Sequence, residues 1–299
     1  EDHVVWVERG AAWMLDQPRA TWAPLTDAPV ATSGRVLTVR AVEALDPVKR
    51  ELFVRVMGVK PGVDPYYQDL AKVRLDGTGF QLLTSGDATH GVLLNADKTL
   101  FVDWTSRVDL PPTVDLRRTT DGSLVATLEK ADWAPLLKTG WKAPERFTAK
   151  GRDGKTDIHG ILLRPSTFDP KKKYPVVEYI YAGPHNSFVP KGFTGFYSPH
   201  FLAEAGFIVV QCDGMGTDNR GKAFHDVTWK NLGDSGLPDR IAWIKAAAAK
   251  FPQMDLRPGV GIYGSSSGGQ SSLRALLAYG DFYTAAVSDS GCHDNRVDK

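Results

Sequence analysis

The sequence predicts two architectures in series: an antiparallel all-β part over residues 1–130 and an α/β part with a mainly parallel sheet over residues 147–299, joined by a connector at 131–146. Three observations carry this reading. Short apolar strands punctuated by turn residues fill the first part, and strands alternate with helices in the second. A strand running into Gly-x-Ser-x-Gly-Gly and then a helix closes the α/β part at 260–279.

In the β-rich part, strand-like runs fall at 4–7, 36–40, 51–56, 68–73, 91–94 and 99–103. Between them stand Pro61-Gly62, Asp76-Gly77, Asn95-Ala96-Asp97 and Asp121-Gly122, which are turn formers. Strands of this length and spacing suit either a β-sandwich or the blades of a propeller. Residues 71–84 are the most blade-like stretch, a strand, a tight Asp-Gly turn and a second strand, although no exact internal repeat accompanies it. A short helix at 131–138 closed by Gly140 makes the connector.

The α/β part reads as strands at 158–164, 174–181, 207–212, 260–263 and 284–288, with helices at 198–206, 235–250 and 271–279. The run Lys171, Lys172 and Lys173 is a solvated turn. Cys212 ends an apolar strand and reads as a small core residue.

Composition excludes several classes. Apolar residues make up 42% and charged residues 24%, with a net charge of +1, so nothing favours nucleic acid or an anionic membrane as partner. No membrane-spanning segment is visible. Two cysteines make no disulfide framework and show no metal spacing. The histidines at 3, 90, 159, 185, 200 and 225 show no paired-ligand pattern, so neither a metal nor a cofactor is expected. Gly214 to Gly221 lacks the Gly-x-Gly-x-x-Gly spacing of a dinucleotide loop.

The chemistry concentrates at Ser266. Of the three consecutive serines, only Ser266 has glycine at both offsets, Gly264 and Gly268, with Gly269 following. A strand-turn-helix corner that presents a serine hydroxyl above a sheet, a nucleophile elbow, needs room at those positions. The competing reading is a plain polar turn. A serine nucleophile also requires a base, an orienting acid and an oxyanion hole. The backbone N–H of Ser267, at the start of the following helix, supplies one oxyanion donor. Tyr181, at the carboxyl end of its strand and followed by Ala182-Gly183-Pro184, is a candidate second donor. A tyrosine that merely closes a strand is the alternative.

Tyr181-Ala182-Gly183-Pro184, Asp213-Gly214-Met215-Gly216 and Gly264-x-Ser266-x-Gly268-Gly269, in this order and at this separation, resemble the prolyl oligopeptidase family of serine peptidases, most of all its dipeptidyl peptidase IV-like branch. The resemblance covers 147–299 and implies the C-terminal blades of a β-propeller followed by the N-terminal half of an α/β-hydrolase domain. It implies release of dipeptides from peptide substrates, with proline or alanine at the penultimate position. Ser266 is then the nucleophile, and Tyr181 and Ser267 are the oxyanion donors. For a full-length protein it implies a homodimer and a periplasmic or secreted location. Three positions depart from the pattern: Ser267 and Asn295 where aromatics are usual, and Met215 where arginine is usual. The stretch containing His293 and Asn295 resembles one that lines the substrate pocket. These departures put proline selectivity in question more than the chemistry.

In α/β-hydrolases the acid and then the histidine follow the nucleophile along the chain. Here His293 is the sole histidine after Ser266. A compact triad of His293 with Asp289 or Asp294 is disfavoured, and the acid and base are expected beyond residue 299. The chain by itself is therefore expected to be inactive and, its sheet being incomplete, to expose an apolar edge at the strand after the elbow helix. An esterase or lipase of the same fold, and a non-catalytic interaction protein on a degenerate hydrolase, remain the alternatives.

Overall fold

Short polar side chains make turns of the β-rich part. Asp46 Oδ1 accepts the N–H groups of Val48 and Lys49, each at 3.0 Å. Asp76 Oδ1 accepts that of Thr78 at 2.9 Å beside Gly77, whose φ is 80°. Asn95 Oδ1 accepts those of Thr99 and Leu100, each at 3.0 Å. Each side chain takes over turn N–H groups that have no ladder partner. The computed structural model describes residues 3–8, 11–16, 21–26, 37–294 and 296. It divides into two units: Glu1–Asp132 with Lys191–Phe193 and Asn219–Gly221, and Trp133–Pro190 with Thr194–Asp218 and Lys222–Lys299.

Among its described residues the first unit holds three antiparallel sheets. The first is β1 (His3–Glu8), β2 (Ala11–Asp16) and β3 (Thr21–Pro24). The second is β4 (Thr38–Asp46), β5 (Glu51–Met57), β6 (Asp69–Arg74) and β7 (Gln81–Leu82). The third is β8 (Thr89–Leu94), β9 (Leu100–Arg107), β10 (Leu110–Arg118) and β11 (Leu124–Lys130). Sandwich and propeller are distinguished by β5. Leu52, Val54 and Val56 enter a core shared with Ala12 and Leu25 of the first sheet's end, while Phe53 enters another shared with Phe101 of the third. A sheet in a two-layer sandwich has one core face. A sheet buried on both faces is a blade in a stack. Strands β10 and β11 lie outside the strands predicted from sequence. The Asp121-Gly122 turn joins them, but β11 is exposed along its whole length, so no burial alternation marks it.

Polar groups reinforce these sheets. His90 Nδ1 lies 2.8 Å from Asp103 Oδ1, Thr84 Oγ1 donates to Asp69 Oδ1 at 2.8 Å, and Lys60 pairs with Asp69 at 2.9 Å. Burial raises the Asp69 carboxyl above its ordinary value, against the opposing pull of Lys60.

The second unit opens with α1 (Ala134–Lys138), which ends before Gly140 at φ 85°. Its strands are β12 (Glu145–Lys150), β13 (Asp157–Leu163), β14 (Tyr174–Tyr179), β15 (Ile208–Cys212), β16 (Met254–Asp255), β17 (Val260–Ser265) and β18 (Tyr283–Asp289). They form one sheet in the order β12-β13-β15-β14-β17-β18, with β16 beside β14. Strands β12 and β13 are antiparallel; pairing is parallel from β15 to β18. The helices are α2 (Pro199–Glu204), α3 (Lys222–His225), α4 (Leu237–Lys250) and α5 (Ser267–Ala278). The order places β14 and β17 side by side at the crossover, so the chain leaving each reaches the same place at the carboxyl edge.

Helix α4 buries Trp243, Ile244 and Ala247 in the core of this sheet. The Trp243 ring lies so near Gly160 that a Cβ built there would stand 2.6 Å from it. Beneath the sheet, Glu178 accepts Arg240 Nη1 at 2.9 Å and the Tyr283 hydroxyl at 2.6 Å, with all three residues nearly inaccessible. Burial alone would lower the Arg240 guanidinium, but Glu178 beside it raises it. Burial also pushes the Tyr283 phenol up, so it stays a donor.

Candidate active site

Ser266 sits between β17 and α5 with φ 58° and ψ −121°. That conformation is the natural one for glycine at the first central position of a type II′ turn, and a serine there is strained. Two backbone bonds hold it: the Ser266 N–H donates to Asp289 O at 3.0 Å, and the Ser266 carbonyl accepts from Gln270 N–H at 3.1 Å. The side chain is exposed. Helix α5 begins at Ser267, earlier than the 271–279 predicted. Glycine is a poor helix former, and the run Ser267-Gly268-Gly269 therefore hides the helix start. Because Ser267 is the first helical residue, its N–H has no acceptor within the helix and points out of the helix N-terminus.

The elbow glycines provide room rather than backbone freedom. None of Gly264, Gly268 and Gly269 has a left-handed φ. A Cβ on Gly264 or on Gly268 would overlap the carbonyl oxygen of Ile180, and one on Gly269 would overlap the carbonyl oxygen of Asp289. Thus the two strands flanking β17 at its carboxyl end press directly against the elbow.

Tyr181 follows Ile180 immediately, and its Cα would lie 3.0 Å from a Cβ on Gly268. Tyr181 therefore lies against the turn that carries Ser266, at Gly268. The Tyr181 ring packs on Phe188 with centroids 4.5 Å apart and meets His185 edge-on at 5.9 Å. The next residue, Ala182, is buried with φ 61°, a second strained non-glycine residue beside the elbow. Side chains and backbone brace the loop after it: His225 Nε2 lies 2.9 Å from Pro184 O, and Asp213 accepts the N–H groups of Phe188 and Val189. Asp213 belongs to one of the motifs quoted above, but its sequence context indicates no role; only the folded loop shows what it binds.

The residues of the compact alternative triad are otherwise engaged. His293 is exposed, with Nε2 3.3 Å from Ser288 Oγ. Asp289 accepts the Ser265 hydroxyl at 2.6 Å, and Asp294 pairs with Arg296. The Ser265 hydroxyl, followed by that of Ser290, holds the Asp289 carboxyl below its usual range. Asn295 lies outside the described residues. Among the described residues, no group of three His, Cys, Asp or Glu side chains is placed to hold a metal ion, and no helix is long and apolar enough to cross a membrane.

The sheet order and the strained serine at the end of β17 define an α/β-hydrolase fold, here following β-propeller blades. A model of the prolyl oligopeptidase family matches residues 193–299. Dipeptidyl peptidase 8 of Homo sapiens is 29% identical over 214 residues, covering 69% of this chain and 24% of that protein. The probable dipeptidyl-aminopeptidase B of Ajellomyces dermatitidis is 29% identical over 260 residues, covering 82% of this chain and 26% of that protein. The chain thus spans about a quarter of the length of these curated relatives. Among solved structures, a putative dipeptidyl aminopeptidase IV of Bacteroides ovatus superposes with TM-score 0.81 at 22% identity, over 97% of this chain and 43% of that one. Dipeptidyl peptidase 4 of Porphyromonas gingivalis gives TM-score 0.79 at 22% identity, over 98% and 40%. Over residues 193–299 the chain is similar to the prolyl oligopeptidase family, and as a whole it resembles dipeptidyl peptidase IV-like proteins.

Proposed function

We propose that this chain carries the nucleophile and oxyanion hole of a serine-type dipeptidyl peptidase. Residues 1–130 form its propeller portion and 147–299 the first half of its peptidase domain. The observation that carries the reading is Ser266 itself, a strained and exposed serine whose two flanking glycines both abut Ile180, the residue before Tyr181. Strain of this kind costs on the order of 1–3 kcal/mol and persists where the surrounding structure enforces it.

In this reading Ser266 Oγ attacks the scissile carbonyl and passes its proton to a histidine base. The oxygen that becomes negative is met by the Ser267 N–H and the Tyr181 hydroxyl, each such donor contributing on the order of 3 kcal/mol to the transition state. The amine leaves with the proton from the base, and water then cleaves the acyl-enzyme. Because His293, Asp289 and Asp294 are engaged elsewhere, the base and acid are assigned to chain beyond residue 299. His293 and Asn295 are assigned to the wall of the pocket for the penultimate side chain. The names of the relatives support peptides as substrates, with dipeptides released.

A fluorophosphonate probe on the full-length protein tests this. Labelling at Ser266, lost in Ser266→Ala together with turnover of a chromogenic dipeptide substrate, is the expected result. Absence of labelling with the protein folded would favour an interaction protein. Turnover of short acyl esters with no cleavage of dipeptide substrates would favour an esterase.

A further inference from the structure

Phe188 is held at both of its backbone polar groups by side chains from the end of one strand. Its N–H donates to Asp213 Oδ1 at 2.9 Å and Oδ2 at 3.1 Å, and the Val189 N–H donates to Asp213 Oδ2 at 3.0 Å. Its carbonyl accepts Gln211 Nε2 at 3.0 Å. Gln211 and Asp213 stand two residues apart at the carboxyl end of β15, so both project to the same side of the strand. Their exposures are 3% and 0%. The Tyr197 hydroxyl donates to the other end of the Gln211 amide, and burial pushes that phenol up, so it remains a donor. A buried carboxylate is costly unless hydrogen bonds compensate it. Here backbone N–H groups of the loop carrying Phe188 do so.

The Phe188 ring is in turn the surface on which Tyr181 rests, with centroids 4.5 Å apart and planes 33° apart. His185 meets both rings edge-on, at 5.9 and 5.5 Å. Ring packing therefore sets the direction of the Tyr181 phenol. We propose that Asp213, assisted by Gln211, is a positioning residue: it fixes the Phe188 backbone, and through the Phe188 ring it aims the Tyr181 hydroxyl at the oxyanion. This inference rests on the reading of Tyr181 as an oxyanion donor. Placement matters because a preorganised donor stabilises developing charge only within hydrogen-bond range of where that charge appears.

A double-mutant cycle in the full-length enzyme tests it. Asp213→Asn removes one of the two acceptors facing the loop and is expected to lower kcat about tenfold or more with KM changed less than about threefold. In a Tyr181→Phe background, itself slower by about 10²–10³, the same change is expected to cost less than about twofold, since no hydroxyl remains to be aimed. Phe188→Leu, which leaves the carboxylate in place and removes the ring, is expected to show the same loss and the same dependence on Tyr181; it carries the test should Asp213→Asn fail to fold. Equal losses with and without the Tyr181 hydroxyl would overturn the inference. An unchanged kcat in Tyr181→Phe alone would instead overturn the reading on which it rests.

Discussion

The carbonyl oxygen of Ile180 occupies the space in which Gly268 would carry a side chain. A Cβ on Gly264 would meet the same oxygen. One backbone atom at the end of β14 thus accounts for both glycines of the Gly-x-Ser-x-Gly pattern. It also explains why Tyr181, the next residue, lies against Gly268.

Gly268→Ala should therefore be severe, because the obstructing atom is backbone and cannot rotate away. We expect a loss of about 3 kcal/mol or more, at or above the upper end for overpacking. Gly233→Ala is the control, since its nearest neighbour would be Arg274 Nε at 3.7 Å; it should stay within about 0.5 kcal/mol of the parent. Urea denaturation followed by tryptophan fluorescence measures both.

Ser266→Gly should stabilise the chain while removing the Ser266 hydroxyl. A glycine at φ 58° and ψ −121° carries no steric penalty, so release of about 1 kcal/mol is expected. Ser266→Ala keeps the strain and should show no such gain. Equal melting temperatures for the two variants would contradict the assignment of strain.

Arg240→Met should cost about 3–5 kcal/mol, because it leaves the Glu178 carboxylate buried without its cation. Adding Glu178→Gln should recover much of that loss, since the buried charge is then gone. Chemical denaturation of the single and double variants reads this directly. Additive losses would show that the two groups are not coupled.

The Asp289 carboxyl is held below its usual range by the Ser265 hydroxyl first and by Ser290 second. A depressed carboxylate contributes stability above the unfolded value of about 3.9 and loses it as pH falls through the folded value. The stability difference between the parent and Asp289→Asn should therefore be present at pH 7 and shrink at pH ~3. Urea midpoints at the two pH values check this. A difference that grew on acidification would carry the wrong sign.

Strand β18 lies at the end of the sheet order, and Val287 on it is 65% exposed. An exposed apolar edge strand pairs readily with another chain. The purified 299 residues should accordingly self-associate on gel filtration, and Val287→Lys should shift the profile towards monomer. A sharp, reversible melt of a monomer would contradict this.

Much of the fold was legible in the sequence because local chemistry dictates it. The Asp-Gly and Asn turns, the apolar strands of the α/β part and the alanine-rich helix at 235–250 announce themselves through turn preference and periodicity. Strand β11 and the first turn of α5 did not. One is exposed throughout, and the other begins on glycines whose presence answers to packing rather than to helix preference. The serine could likewise be chosen among three by counting glycines.

What lies around that serine was decided by the tertiary structure alone. Glycine spacing states that room is needed at 264 and 268, but not that Ile180 fills it. Asp213 reads as part of a loop motif, and only the fold turns its carboxylate onto the Phe188 and Val189 N–H groups. The reason is physical: turns and periodicity are governed by neighbours in sequence. By contrast, the contacts around Tyr181 join β14, β15 and β17, strands far apart along the chain that meet only through parallel pairing.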